Sequence, residues 1–116
     1  MLVVDPWDWL NTDGSLPLHE PRLYRRILRI AQFIEAGGPL QSMHARQTLL
    51  GCSKRPGGVA CGGLMWVVKT DEDAIHAFCP DCQADEALIH NWQRTEWADG
   101  PMDPMLVHAV TAQELN

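Results

Sequence analysis

The residues with the clearest chemical potential are four cysteines, Cys52, Cys61, Cys79 and Cys82, and the 116-residue chain has no others. Cys79-Pro80-Asp81-Cys82 is a tight Cys-x-x-Cys turn. Such a turn lets two thiolates reach one ion from a single backbone loop, and Pro80 restricts it. Cys52 and Cys61 are separated by eight residues, and seventeen more lie between Cys61 and Cys79. Zinc takes four soft or borderline ligands in a tetrahedron, with Zn–S about 2.3 Å. The gap of seventeen falls within the roughly 15–20 residues expected between two Cys-x-x-Cys pairs of a zinc site. The first pair departs from that pattern. Its insert, Ser53-Lys-Arg-Pro-Gly-Gly58, is turn-forming and can loop out to bring Cys61 back beside Cys52. Gly62-Gly63 adds flexibility after that ligand.

The same thiols admit other chemistry. Two disulfides could form in three pairings, the tight pair alone could be a redox centre, and four thiolates could hold an iron–sulfur cluster. Four buried free thiols are the plain structural alternative. No strand-then-helix setting surrounds the tight pair, which weighs against a thioredoxin-like role. Structural Zn2+ held by Cys52, Cys61, Cys79 and Cys82 is the expectation. A set in which His76 or His90 replaces a cysteine of the first pair is the weaker variant.

These ligands need elements to hold them. Leu64-Met-Trp-Val-Val-Lys-Thr70 is rich in β-branched and aromatic residues, Asp71-Glu-Asp73 is a polar turn, and Ala74-Ile-His-Ala-Phe78 alternates into Cys79. The reading is a hairpin whose two ends carry cysteine turns. Thr48-Leu-Leu50 reads as a strand entering the first turn, although a helix over Gln41–Leu49 competes with it. Ala87–Trp92 reads as a third strand, with a helix over Asp85–Thr95 as the competing form.

Upstream, Pro21 to Ala36 is the clearest helix. Proline suits its first turn and Gly37-Gly38-Pro39 stops it. Leu23, Ile27, Ile30 and Ile34 form an apolar stripe, widened by Tyr24, Leu28 and Ala31. Arg22, Arg25, Arg26 and Arg29 fall on the opposite face. Residues 1–20 read as an extended lead-in that packs back on the domain or joins an interface, because Val3, Val4, Trp7, Trp9 and Leu10 are costly to leave in water. Residues 99–116 read as a turn-rich tail, with a short strand at Leu106–Val110 as one form of it. The organisation is thus a segment 1–20, a helix 21–37, a four-cysteine module 45–98 and a tail 99–116.

The hairpin with cysteine turns, Gly62 to Cys82, resembles the zinc ribbons, which pair two cysteine knuckles at the ends of a hairpin and add a third strand. Cys79-Pro-Asp-Cys82, followed by Leu88-Ile-His-Asn-Trp92-Gln and Thr95-Glu-Trp97, also looks like small bacterial zinc-ribbon proteins of rubredoxin-like four-cysteine type. The resemblance spans residues 45–98 and implies metal binding rather than an activity. Ribbon knuckles often have glycine after the second cysteine, where this chain has Gln83. With the long first insert, that leaves two arrangements open. One is an α+β fold with a small zinc-ribbon-like antiparallel sheet and one N-terminal amphipathic helix. The other is treble-clef-like, with a helix after Cys82.

Composition narrows the functional classes. An apolar fraction of 46% is that of a globular chain. No apolar run approaches the roughly 18–20 residues of a membrane span. Asp5 and Asp8 interrupt the apolar N-terminus, which argues against a signal peptide and for a cytoplasmic protein with reduced thiols. The net charge is −6, yet residues 1–60 carry seven Lys+Arg against five Asp+Glu, and residues 61–116 carry two against ten. No Ser-His-Asp order, His-Glu-x-x-His motif or phosphate-cradling glycine loop occurs. His44, His90 and Asp99 are scattered candidates for acid–base work, so a binding role is expected over an enzyme. A protein partner or homo-oligomer comes first, with any exposed tryptophan as an anchor. A nucleic acid on Arg22, Arg25, Arg26, Arg29, Lys54 and Arg55 is the alternative.

Overall fold

The helix and the hairpin anticipated above build two layers in the computed structural model, which describes residues 1–100 and the strand Val110–Thr111. In chain order the elements are β1 (Leu2–Val4), α1 (Pro21–Gly37), β2 (His44–Gly51), β3 (Leu64–Lys69), β4 (Ile75–Cys79), β5 (Ala84–Ile89) and β6 (Val110–Thr111). The strands form one sheet in the order β1-β5-β4-β3-β2-β6, and α1 packs on one face of it. The fold is therefore α+β. All pairings are antiparallel except β1 with β5, which is parallel, so the sheet is mixed rather than wholly antiparallel.

Alternation sorts the side chains into two faces. Val4, Ile89, Ile75 and Lys69 form one row under α1, and Leu2, Ala87, Ala77, Val67 and Arg46 form the next. Val3, Leu88, His76, Val68 and Ala45 form a row on the outer face, beside Trp66 and Phe78. α1 closes the inner face with Ile27, Ile30, Phe33 and Ile34. Ile27, Phe33 and Ile34 are fully buried, and each such burial stabilises the fold by roughly 1.5–3 kcal/mol. The buried face of α1 is rotated from the expected stripe. Phe33 and Gly37 face the sheet, while Leu28 looks outward. Arg29 turns in at the border, with its guanidinium 5.2 Å from the Phe33 ring.

Several segments differ from their sequence reading. β2 begins at His44 and is longer than Thr48–Leu50, and no helix covers Gln41–Leu49. The lead-in is not simply extended. It contributes β1 and a 3-10 turn at Pro6–Asp8, with Trp7 donating to the Asn91 carbonyl at 3.0 Å. Three residues are too few to show alternation, and their partner strand lies some eighty positions away. The chain after Cys82 is β5 and not a helix, so the treble-clef arrangement is not adopted. The tail strand expected at Leu106–Val110 lies outside the described residues except for Val110, which pairs with Ala45 in β6.

Two of the buried polar side chains, Lys69 and Trp92, have specific partners. Lys69 is nine-tenths buried, donates to the Gly38 carbonyl at the C-terminus of α1 at 2.5 Å, and sits 4.7 Å over the Trp92 ring. Burial holds its pKa below the usual 10.5. The helix carbonyl and the ring both favour the cation and offset part of that cost. Trp92 is buried and its indole donates to the Asp73 carbonyl at 2.7 Å.

Candidate metal centre

Both cysteine pairs sit at the same end of the sheet, away from the Asp71–Asp73 turn. Cys79 is the last residue of β4 and is fully buried. Cys82 precedes β5. Cys52 follows β2, and Cys61 precedes β3 by two glycines. A bulge in β2 between Gln47 and Gly51 shapes the approach to Cys52. There Thr48 donates to the Met65 carbonyl at 2.8 Å and accepts from the Leu50 amide at 3.1 Å.

The long insert closes as its composition requires. The Cys61 amide donates to the Lys54 carbonyl at 3.0 Å, and the Cys52 amide donates to the Gly63 carbonyl at 2.9 Å. Pro56–Gly58 makes a 3-10 turn in which Gly57 and Gly58 have φ of 66° and 83°. An eight-residue gap thus acts as a knuckle because its ends are pinned together. Gly63 has a separate reason to be glycine. A Cβ there would run into the Asp81 side chain, so the second knuckle sits directly on the first.

The residue after the second ligand of each pair is left-handed. Gly62 after Cys61 has φ 75°, and Gln83 after Cys82 has φ 61°. The missing glycine at position 83 is therefore a departure in composition and not in conformation.

All four sulfurs lie within 4.8 Å of one another. Cys52 Sγ is 3.7 Å from Cys82 Sγ, and Cys61 Sγ is 3.7 Å from Cys79 Sγ, so each short contact spans the two knuckles. None of the four is in a disulfide, and a bonded pair would be near 2.05 Å apart. His76 and His90 do not belong to the cluster. His76 instead meets Asp85 at 2.9 Å.

The thiols interact strongly. The Ala84 amide donates to Cys82 and holds its pKa below the usual 9.0, with the other three thiols acting in the same direction. At Cys61 the Gly63 amide favours the thiolate, but loss of water and the facing Cys82, Cys79 and Cys52 outweigh it and push the pKa up to about 12. At Cys52 the Lys54 amide, 3.5 Å from Sγ, pulls down, while burial and Cys82 and Cys79 raise the value overall. Four sulfurs this close cannot all carry charge without a cation among them. Three of the four sulfurs, those of Cys52, Cys61 and Cys82, are thus served by amides two residues downstream, a pattern of backbone donors that side-chain identities do not reveal.

Arg29 is a further contributor that lay hidden in the arginine face. Its guanidinium pairs with Glu86 through Nε–Oε2 at 2.6 Å and Nη2–Oε1 at 2.8 Å, and donates to the Gly51 carbonyl at 3.0 Å. Its pKa is raised, chiefly by the Glu86 hydrogen bonds and to a small degree by Cys52. Arg22, Arg25, Arg26, Lys54 and Arg55 are exposed. Among the described residues no hydrogen bond joins His44, His90 and Asp99, and no helix is long and apolar enough to cross a membrane.

Fold and site together define an α+β protein with a four-cysteine centre able to hold a metal ion. No family model, curated protein or solved structure matches the chain.

Proposed function

We propose that this chain is a small structural-zinc protein that acts as a non-catalytic protein-interaction module. The observation that carries the metal assignment is the sulfur spacing. Four thiolates about 2.3 Å from one ion stand about 3.8 Å apart along each tetrahedral edge, and the two closest sulfur pairs are 3.7 Å apart. A tetrahedral four-sulfur set suits zinc or iron. A multinuclear iron–sulfur cluster places sulfide between its thiolates and needs a wider set, which favours a single ion.

Zinc in such a site would supply cross-linking. Cys52 and Cys61 would be joined to Cys79 and Cys82, tying β2 and β3 to β4 and β5. Four protein ligands leave no open coordination position for water or substrate, which supports a structural role over hydrolysis. Chemistry at the ion is then not what the protein offers to others; the surfaces held in place are. The outer sheet face supports a protein partner. Trp66, Phe78 and Leu88 are only partly buried there and Val3 is 64% exposed. Aromatic side chains in that state are the usual anchors of interfaces.

Elemental analysis of purified protein tests the metal assignment: about one zinc per chain is expected. Cys79→Ser should lower both zinc content and melting temperature, because metal binding and folding are linked. Stoichiometric iron, or a metal-free protein whose stability survives thiol alkylation, would reject it. Light scattering with and without Trp66→Ala tests the interaction surface through a second copy of the chain, and pull-down tests it through another protein. A monomer with no captured partner would count against that half of the reading.

A further inference from the structure

Charge in this molecule is sorted by end, and the sorting follows from topology. β3 and β4 turn through Asp71, Glu72 and Asp73, which are all exposed. A Cβ on Gly37 would land on Ile75, just beyond that turn, so the C-terminus of α1 lies at the turn end. The four cysteines lie at the opposite ends of the same strands. α1 therefore runs with its N-terminus toward the metal centre, and the bond from Arg29 to the Gly51 carbonyl, one residue before Cys52, pins it there.

Beyond that pin the helix continues for seven residues to Arg22, a rise of about 10 Å at 1.5 Å per residue. Arg22, Arg25 and Arg29 follow one another at three and four positions, so they share a stripe, with Arg26 beside it. The insert carrying Lys54 and Arg55 starts at the same pin. Arg29 is consumed by Glu86, which leaves five exposed cations around the metal end. Among the described residues the exposed carboxylates at that end include Glu20, Asp81 and Asp85, the last already meeting His76 at 2.9 Å, so the cations outnumber them. Asp99 and Glu96 add to the acidic turn end, because Gly100 packs on Pro39 past the C-terminus of α1. An overall charge of −6 thus conceals a cationic end and an acidic one, where exposed Arg94 offsets only part of the carboxylate charge.

We infer that the metal end docks on the phosphate backbone of a nucleic acid, without reading base sequence. Guanidinium groups match phosphate geometry, and four of the six arginines and lysines at this end, Arg22, Arg25, Arg26 and Arg55, are exposed arginines. The acidic end would be repelled, so one orientation is selected. Tyr24 is partly buried and no exposed aromatic accompanies the cations, so there is no platform for stacking bases. A lipid surface fits less well. An interfacial helix must offer its apolar face to the bilayer, and that of α1 is spent on the sheet.

The test uses the zinc-loaded full chain and fluorescence anisotropy of a labelled 20-base-pair DNA duplex and a 20-nucleotide RNA, titrated between about 50 and 200 mM salt. Binding should weaken with salt along a logarithmic slope of up to about −4.5 on duplex, the limit for five phosphate contacts. Arg25→Glu with Arg26→Glu, and separately Lys54→Glu with Arg55→Glu, should each weaken binding by about tenfold or more and flatten the slope by about 2. Zinc content and circular dichroism should not change in the helix pair, whose side chains are exposed; in the knuckle pair, where Arg55 also donates to the Gly58 carbonyl at 3.0 Å, binding is compared at matched zinc content. Asp71→Asn with Glu72→Gln should leave affinity within about twofold, because that turn lies well beyond a Debye length of about 10 Å. No anisotropy change at about 50 mM salt, or binding indifferent to both cation pairs, overturns the inference. So does capture by phosphatidylcholine–phosphatidylserine vesicles with no binding to either nucleic acid.

Discussion

Arg29 and Glu86 meet in a two-point ion pair that ties the middle of α1 to β5, with both side chains about three-quarters buried. The same guanidinium reaches Gly51 at the entry to the first knuckle, so one residue joins the helix, the fifth strand and the metal end. Planar fork-to-carboxylate geometry makes this stronger than a surface pair. Glu86→Ala should destabilise the fold by about 1–2 kcal/mol, above the range of exposed pairs and below that of a buried charge left alone. Urea unfolding measures it. Arg29→Lys should recover only part of the loss, because an ammonium cannot make the two parallel bonds.

The left-handed residues after Cys61 and Cys82 predict substitutions of opposite sign. Gln83 pays for a conformation that costs a non-glycine residue about 1–2 kcal/mol. Gln83→Gly should therefore be neutral or stabilise by up to about 1 kcal/mol after glycine's own entropy cost. Gly62→Ala should destabilise by about 1 kcal/mol for the same reason, although its Cβ would meet no neighbour. Thermal melts should place Gly62→Ala below the parent and Gln83→Gly at or above it.

At the other end of α1, Gly38 has an ordinary helical φ of −57° and is needed for space rather than for conformation. A Cβ there would collide with the Ala98 carbonyl, a backbone atom that cannot swing aside. Gly38→Ala should cost about 2–3 kcal/mol through displacement of the 92–100 segment. Gly51→Ala, whose Cβ would meet open space, should be near neutral. Comparing the two by chemical denaturation separates steric cost from general glycine effects.

Asp13 gives a pH signature. Its carboxylate accepts from the Ser15 hydroxyl at 2.6 Å and from the Ser15 amide at 3.0 Å, and these bonds lower its pKa from 3.8. A depressed carboxyl stabilises the folded state above the unfolded value, and that contribution disappears as pH falls through the folded value. The window therefore lies below pH 3.8. Carboxyl NMR titration should place the Asp13 midpoint beneath 3.8, and Ser15→Ala should move it back toward that value.

The sequence by itself determined the parts whose rules are local. Pro21 and Gly37-Gly38 bound a helix with the right apolar spacing, the alternating residues on either side of Asp71–Asp73 make a hairpin, and cysteine identity and spacing mark the metal-binding end. These follow from periodicity, turn chemistry and ligand type, each decided within a few residues. Tertiary structure decided what depends on contacts between distant segments. β1 exists because Leu2–Val4 finds β5. The strand after Cys82 beats a helix because its edge pairs with β4. Arg29 leaves the solvated arginine face because Glu86 and Gly51 are brought to it. The first cysteine pair becomes a knuckle only when Cys61 bonds back to Lys54 and Gly63 lies under Asp81. Spacing could propose that four sulfurs meet; only the packed sheet sets them at the separation a single ion requires.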